Sequence, residues 1–164
     1  MPKLRAFLKY WLPPLVWMTV IFVGSSDAKS SPHSSLFVEP FLHWLFPHMT
    51  QPHIEQIHYD FRKFCHLTEY AVFALLLWRA IRRANGKNPR LLVAPERSAG
   101  GWNWAEAGLA LSMVFLYGAS DEIHQAFVPN RTAQVSDVLI DTAGGAAGLL
   151  ALWIVFNWRK RLKK

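Results

Sequence analysis

Cysteine is almost missing from this chain: Cys65 stands alone in 164 residues. An intramolecular disulfide and a cysteine-built zinc site are thereby excluded. Charge is also missing, but locally. Ala107–Ser120 and Thr142–Trp158 contain no Asp, Glu, Lys or Arg, and acidic residues number only 11 against 18 basic ones. There is no internal repeat, no low-complexity tract and no H-E-x-x-H spacing, so repeat architectures and that class of zinc enzyme drop out.

What is present is apolar and aromatic. Hydrophobic residues make up 52% and aromatic residues 14%, with eight Trp. Four segments, about Tyr10–Ser26, Phe64–Ala80, Trp102–Ser120 and Val138–Trp158, are long enough to cross a bilayer, which takes roughly 20 mostly apolar residues and ~17 at the least. Glu69 interrupts the second and Glu106 the third. The expected fold is all-α: one domain over residues 1–164, a polytopic membrane bundle of four spans. In the first loop, Phe41–Met49 is too short to span and is expected at the membrane interface. Gln51–Phe64 reads as a second short helix leading into span two.

The basic residues orient this bundle. Lys3, Arg5 and Lys9 precede span one; Arg79, Arg82, Arg83, Lys87, Arg90 and Arg97 lie between spans two and three; Arg159, Lys160, Arg161, Lys163 and Lys164 follow span four. Only Lys29, Arg62, Lys63 and Arg131 fall on the other side. The positive-inside rule then puts both termini and the middle loop in the cytoplasm. Trp78, Trp102, Trp104, Trp153 and Trp158 cluster near the inner boundary, as an interfacial belt would. Topology accounts for the net charge of +7, and nucleic acid is not an expected partner, since apolar spans split the basic residues into three blocks. The basic start and apolar core resemble a secretory signal. Pro13-Pro14 inside the core and the lack of a clear small-x-small site favour a retained first span.

All seven histidines and most carboxylates fall on the outer side. The stretch from Ser120 to Asp141 places Asp121, Glu122, His124, Arg131, Asp137 and Asp141 at or just inside the ends of two apolar spans. A charge drawn into hydrocarbon costs at least ~2.5–3.5 kcal/mol, so such groups usually have partners and a role. Helical spacing sharpens the pattern. Lys63, His66 and Tyr70 recur at i, i+3 and i+7 on one face. Tyr117, Asp121 and His124 do the same in span three, with Gln125 beside them. Asp137, Asp141, Gly144 and Gly148 form a third stripe, and the Gly144-x-x-x-Gly148 pair lets a neighbouring backbone approach it. Interhelical ion pairs that only hold the bundle together are the plainer explanation. His43, His48, His53 and His58 recur every five residues, which advances a helix by ~140°, so they share no face. No metal and no other cofactor is expected.

The combination of Ser25-Ser26, Lys63-x-x-His66-x-x-x-Tyr70, Asp121-Glu122-x-His124-Gln125-x-x-x-Pro129-x-Arg131, Asp137, Asp141 and Gly144-Gly145-x-x-Gly148 resembles the VanZ-like family of small bacterial membrane proteins over nearly the whole chain. The family is named after a protein that raises teicoplanin resistance. The resemblance implies a bacterial plasma-membrane protein connected with the cell envelope, and makes teicoplanin susceptibility a natural endpoint. Three classes of function stay open. In the first, the site binds or handles an anionic envelope lipid, a polyprenyl phosphate or lipid-linked cell-wall precursor. Arg131 and Lys63 would take the phosphate and His66 and His124 would donate to it, with Asp121 or Glu122 orienting them. In the second, the chain is a hydrolase or transferase on such lipids, with His124, Glu122 or Asp121 as candidate catalytic groups and Tyr70 positioning substrate. In the third, the polar knot is structural or binds a protein partner.

Overall fold

The computed structural model describes residues 2–26, 40–87, 102–128 and 134–162. Helix α1 is Pro2–Ser26, α2 is the short segment 40–45, α3 is Gln51–Lys87, α4 is Trp104–Gln125 and α5 is Val135–Arg161. Among the described residues there is no strand. By length and composition α1, α3 and α5 can cross a membrane. The sequence expectation of four spans is met only in part: α4 is not among the candidates, and it carries Glu106, Asp121, Glu122 and His124.

The second correction concerns the first loop. Gln51–Phe64 is not a separate helix but the start of α3, which runs unbroken for 37 residues. Pro52 sits in the first turn, where its missing N–H costs nothing, and neither Pro nor Gly follows before Gly86. At 1.5 Å per residue α3 is about 55 Å long, more than the ~30 Å hydrocarbon thickness. In α2, Phe41 and Trp44 stay exposed while Leu42 is buried.

Local chemistry sets the helix ends. Asn103 caps α4, its side chain accepting from the backbone N–H of Ala105 at 2.9 Å and of Glu106 at 3.4 Å. Gln134, at the start of α5, offers no side-chain cap. Glu122 of α4 supplies one instead, its Oε2 accepting from the Gln134 backbone N–H at 2.8 Å. Arg159, Lys160 and Arg161 close the last turn of α5, where cations suit the helix dipole. Helix α1 continues through Pro13 and Pro14, at the cost of the helical donors for the Lys9 and Tyr10 carbonyls.

Helix α3 is the hub. It packs on α1, α4 and α5, whereas α1 rests on α3 and α4. Its Tyr70, Phe73, Ala74, Leu77 and Ile81 meet Ala107, Ala110 and Val114 of α4 and Leu149 of α5. The closest approach is between α3 and α5. A Cβ built on Gly148 would stand 2.8 Å from the Ala71 carbonyl oxygen, and one on Gly144 would run into the backbone of Leu67. Lipid tails are as apolar as the side chains they replace, so such close packing and polar contacts hold a membrane bundle together more than burial does. Outward-facing Val23, Leu116, Leu139 and Ile154 are each more than half exposed, as lipid-facing positions would be.

Candidate functional site

At one end of the bundle, the C-terminal ends of α1 and α4 meet the N-terminal part of α5 and the middle of α3. The three stripes read from spacing converge here. Lys63 pairs with Asp137, and its ammonium also lies 5.2 Å from the Tyr59 ring centroid. One turn further along both helices, His66 Nδ1 faces Asp141 Oδ1 at 3.6 Å. Two basic side chains on α3, Lys63 and His66, thus stand opposite two carboxylates on α5, each set one helical turn apart.

Depth separates the two pairs. The difference lies in the carboxylates: Asp137 keeps 21% of its side chain exposed and Asp141 2%, whereas Lys63 and His66 are alike at 20% and 22%. Asp141 packs against Gly118 of α4, where a Cβ would stand 3.5 Å from its carboxylate, with the Tyr70 ring beside it. Tyr70 is completely buried. Its hydroxyl is directed at Asp141, as His66 Nδ1 is, but neither contact reaches the geometry of a well-formed hydrogen bond. The trio is close but not closed.

The other half of the site is closed. Ser25 of α1 donates to Asp121 Oδ1 at 2.6 Å, and Gln125 Nε2 donates to Asp121 Oδ2 at 3.0 Å. All three residues are buried. Glu122 is committed to the α5 N-terminus. Two further bonds tie α1 in place: Tyr117 donates its hydroxyl to the Met18 carbonyl at 2.6 Å, and Trp17 Nε1 donates to the Glu69 carbonyl at 2.9 Å.

Of the residues expected at the site, the structure therefore gathers Lys63, His66, Tyr70, Asp121, Glu122, Gln125, Asp137 and Asp141 at one end. His124 is at the same end, but its ring packs on Phe22 of α1, centroids 4.5 Å apart. Pro129 and Arg131 lie outside the described residues. Sequence reasoning did not assign Ser25, Gly118 or Gln134 to the site. Ser25 and Asp121 are 96 positions apart, and no spacing rule connects them. Among the described residues no group of three or more His, Cys, Asp and Glu could hold a metal.

Fold and site together define a small all-helical protein, with helices compatible with a membrane and a polar knot buried among them. The model of the VanZ/LLP1 family matches residues 10–157, and the chain belongs to that family. No curated protein and no solved structure matches it.

Proposed function

We propose that this is a four-span plasma-membrane protein, both termini cytoplasmic, whose polar end faces outward and binds or handles an anionic envelope lipid. A polyprenyl phosphate or a lipid-linked cell-wall precursor fits the site in kind. The observation that carries this reading is the loosely closed trio of half-buried His66 with buried Tyr70 and Asp141, beside the Lys63–Asp137 pair. An orphaned buried polar group costs ~1–3 kcal/mol, which a phosphate oxygen accepting from His66 and Tyr70 would recover. Lys63 and His66, one turn apart on α3, can exchange their carboxylate partners for the oxygens of one phosphate. Arg131, from the segment between α4 and α5, adds a planar two-pronged donor, and Asp141 is the carboxylate it would pair with or share a ligand with. The family name points the same way, being linked to teicoplanin resistance.

The closed bonds of Asp121 and Glu122 favour a structural role for those two carboxylates. If the site also performs chemistry, His66 with Asp141 behind it is the pair best placed for general base work, ahead of Asp121, Glu122 and His124.

The test is native mass spectrometry of the protein purified with its own membrane lipids, followed by teicoplanin sensitivity of cells carrying each variant at matched abundance. Retention of a polyprenyl phosphate that is lost in Arg131→Ala and only partly restored in Arg131→Lys is the expected result. Full rescue by Lys would argue against two-pronged recognition. No retained lipid, and no phenotype in Arg131→Ala or Lys63→Ala, would leave the structural role.

A further inference from the structure

The opposite end of the bundle carries a second assembly, independent of the site above. Tyr10 of α1 gathers three cations. The guanidinium carbons of Arg79 and Arg83 each lie 5.5 Å from its ring centroid, and Lys9 Nζ lies 5.7 Å away. Arg79 and Arg83 are at i and i+4 on α3, hence on one face. Arg82, between them in sequence, serves a different group: it sits 4.9 Å from the Trp78 ring and 3.9 Å from Glu106. Helix α3 therefore divides neighbouring arginines between a buried contact and an open one.

Three like charges drawn to one ring repel each other, and the face of a single phenol offsets only part of that. A carboxylate would normally sit among them. Ion pairs join Lys63 to Asp137, His66 to Asp141 and Arg82 to Glu106, and none of these includes Lys9, Arg79 or Arg83. The three cationic side chains are exposed and the Tyr10 ring is half-buried, which leaves room for an anion from outside. What flanks the cluster identifies that anion. Along α1, Phe7 is 51% exposed, and Leu12 and Leu15 are each 46% exposed, so the charged group is bordered by apolar surface.

We propose that Lys9, Arg79 and Arg83, gathered round Tyr10, hold the anionic headgroup of a membrane phospholipid whose acyl chains lie along the exposed face of α1. Basic pockets between helices at a membrane surface recognise phosphate headgroups in this way. A free phosphate offers the same charge but gains nothing from Phe7, Leu12 and Leu15.

The test uses the full chain in a neutral detergent, with phosphatidylglycerol, phosphatidylcholine or inorganic phosphate added, and reads bound molecules by native mass spectrometry. Arg79→Gln/Arg83→Gln is expected to weaken phosphatidylglycerol retention ~30-fold. The charge-matched control Arg159→Gln/Lys160→Gln leaves it nearly unchanged. Tyr10→Leu keeps every charge but loses the ring that gathers them, and is expected to reduce the preference for phosphatidylglycerol over phosphatidylcholine. If the double Gln variant does not fold, Tyr10→Leu and Arg79→Lys/Arg83→Lys decide, and an unchanged preference in both overturns the site. Equal loss in the charge-matched control would mean a diffuse surface field. Displacement of the lipid by inorganic phosphate would assign a soluble anion instead. Either result would overturn the proposal without touching the Lys63 and Arg131 site, which is read by polyprenyl phosphate retention.

Discussion

The two ends of this bundle handle charge in opposite ways. Around Asp141, carboxylates are buried and draw Lys63, His66 and Ser25 across helix interfaces. Around Trp78, cations rest on rings: Arg82 lies over Trp78 and Phe156, and Arg79, Arg83 and Lys9 surround Tyr10. Glu106 is the buried carboxylate at that end. Trp78 stacks on Trp102, 5.4 Å between centroids, which in turn meets Trp104 edge-on at 5.7 Å. An aromatic face attracts a cation with no need to bury an anion beside it. A carboxylate end can release its cations to a competing anion, whereas rings hold cations without competing for the anion.

The largest effect expected from this asymmetry is all-or-none. If the ends face opposite sides of a membrane, a cysteine at Pro129 in a Cys65→Ser background reacts with an impermeant maleimide added to intact cells, and a cysteine at Asn88 does not. Labelling of Asn88 from outside would reverse the orientation and with it the compartment that the polar end faces.

Next in size is the contact that brings the charged rows together. Gly144→Val places branched carbons where the Leu67 backbone already runs, and the helices must separate. Gly118→Val crowds the Asp141 carboxylate, but its nearest neighbours are side-chain atoms at 3.5 Å, which can give. Forcing extra carbons into a packed interface costs ~1–3 kcal/mol and more when backbone is in the way. Thermal unfolding in detergent should therefore show a larger loss for Gly144→Val than for Gly118→Val. A reversed order would mean that the carboxylate seat, not the glycine seam, sets the geometry of the site.

Much of this was legible in the sequence, for a definite reason. Helical periodicity places Lys63, His66 and Tyr70 on one face, and Asp137, Asp141, Gly144 and Gly148 on another, whatever the tertiary fold. The pairing between faces was not legible. Ser25 meets Asp121, and Glu122 caps α5, because of how α1 and α4 are laid against their neighbours. At Gln51–Phe64 the polar residues suggest a break, but past Pro52 in the first turn no Pro or Gly interrupts the helix. The tryptophans were expected as a belt facing the interface. Trp104 and Trp158 do stay exposed, but Trp78 is only 7% exposed and belongs to the core.

Depth orders the third prediction. Asp141→Asn should cost ~1–3 kcal/mol, since His66 and Tyr70 lose the charge they surround. Asp137→Asn should cost at most ~1 kcal/mol, because its partner Lys63 can turn to water. Unfolding in detergent and lipid retention are the measurements. Equal tolerance of both changes would mean that Asp141 is solvated, and the contrast between an open trio and a partly exposed pair would fail.

The smallest change expected in lipid retention tests whether the closed half of the polar end is separate from the open half. Ser25→Ala removes the hydroxyl that donates to Asp121 at 2.6 Å, leaving Gln125 as a donor on the other carboxylate oxygen. A hydrogen bond to a charged group contributes ~1.5–3 kcal/mol, so partial compensation by Gln125 puts the expected loss near the low end, about 1.5 kcal/mol. Helix α1 remains tied by Tyr117 to the Met18 carbonyl and by Trp17 to the Glu69 carbonyl, so the fold should persist. Because Ser25 touches neither Lys63 nor Asp141, lipid retention should hardly change. The pair of readouts is what discriminates. A modest stability loss with retention intact makes Asp121 a fastening for α1. Loss of retention with stability intact would instead place Ser25 and Asp121 inside the binding site, joining the two halves into one.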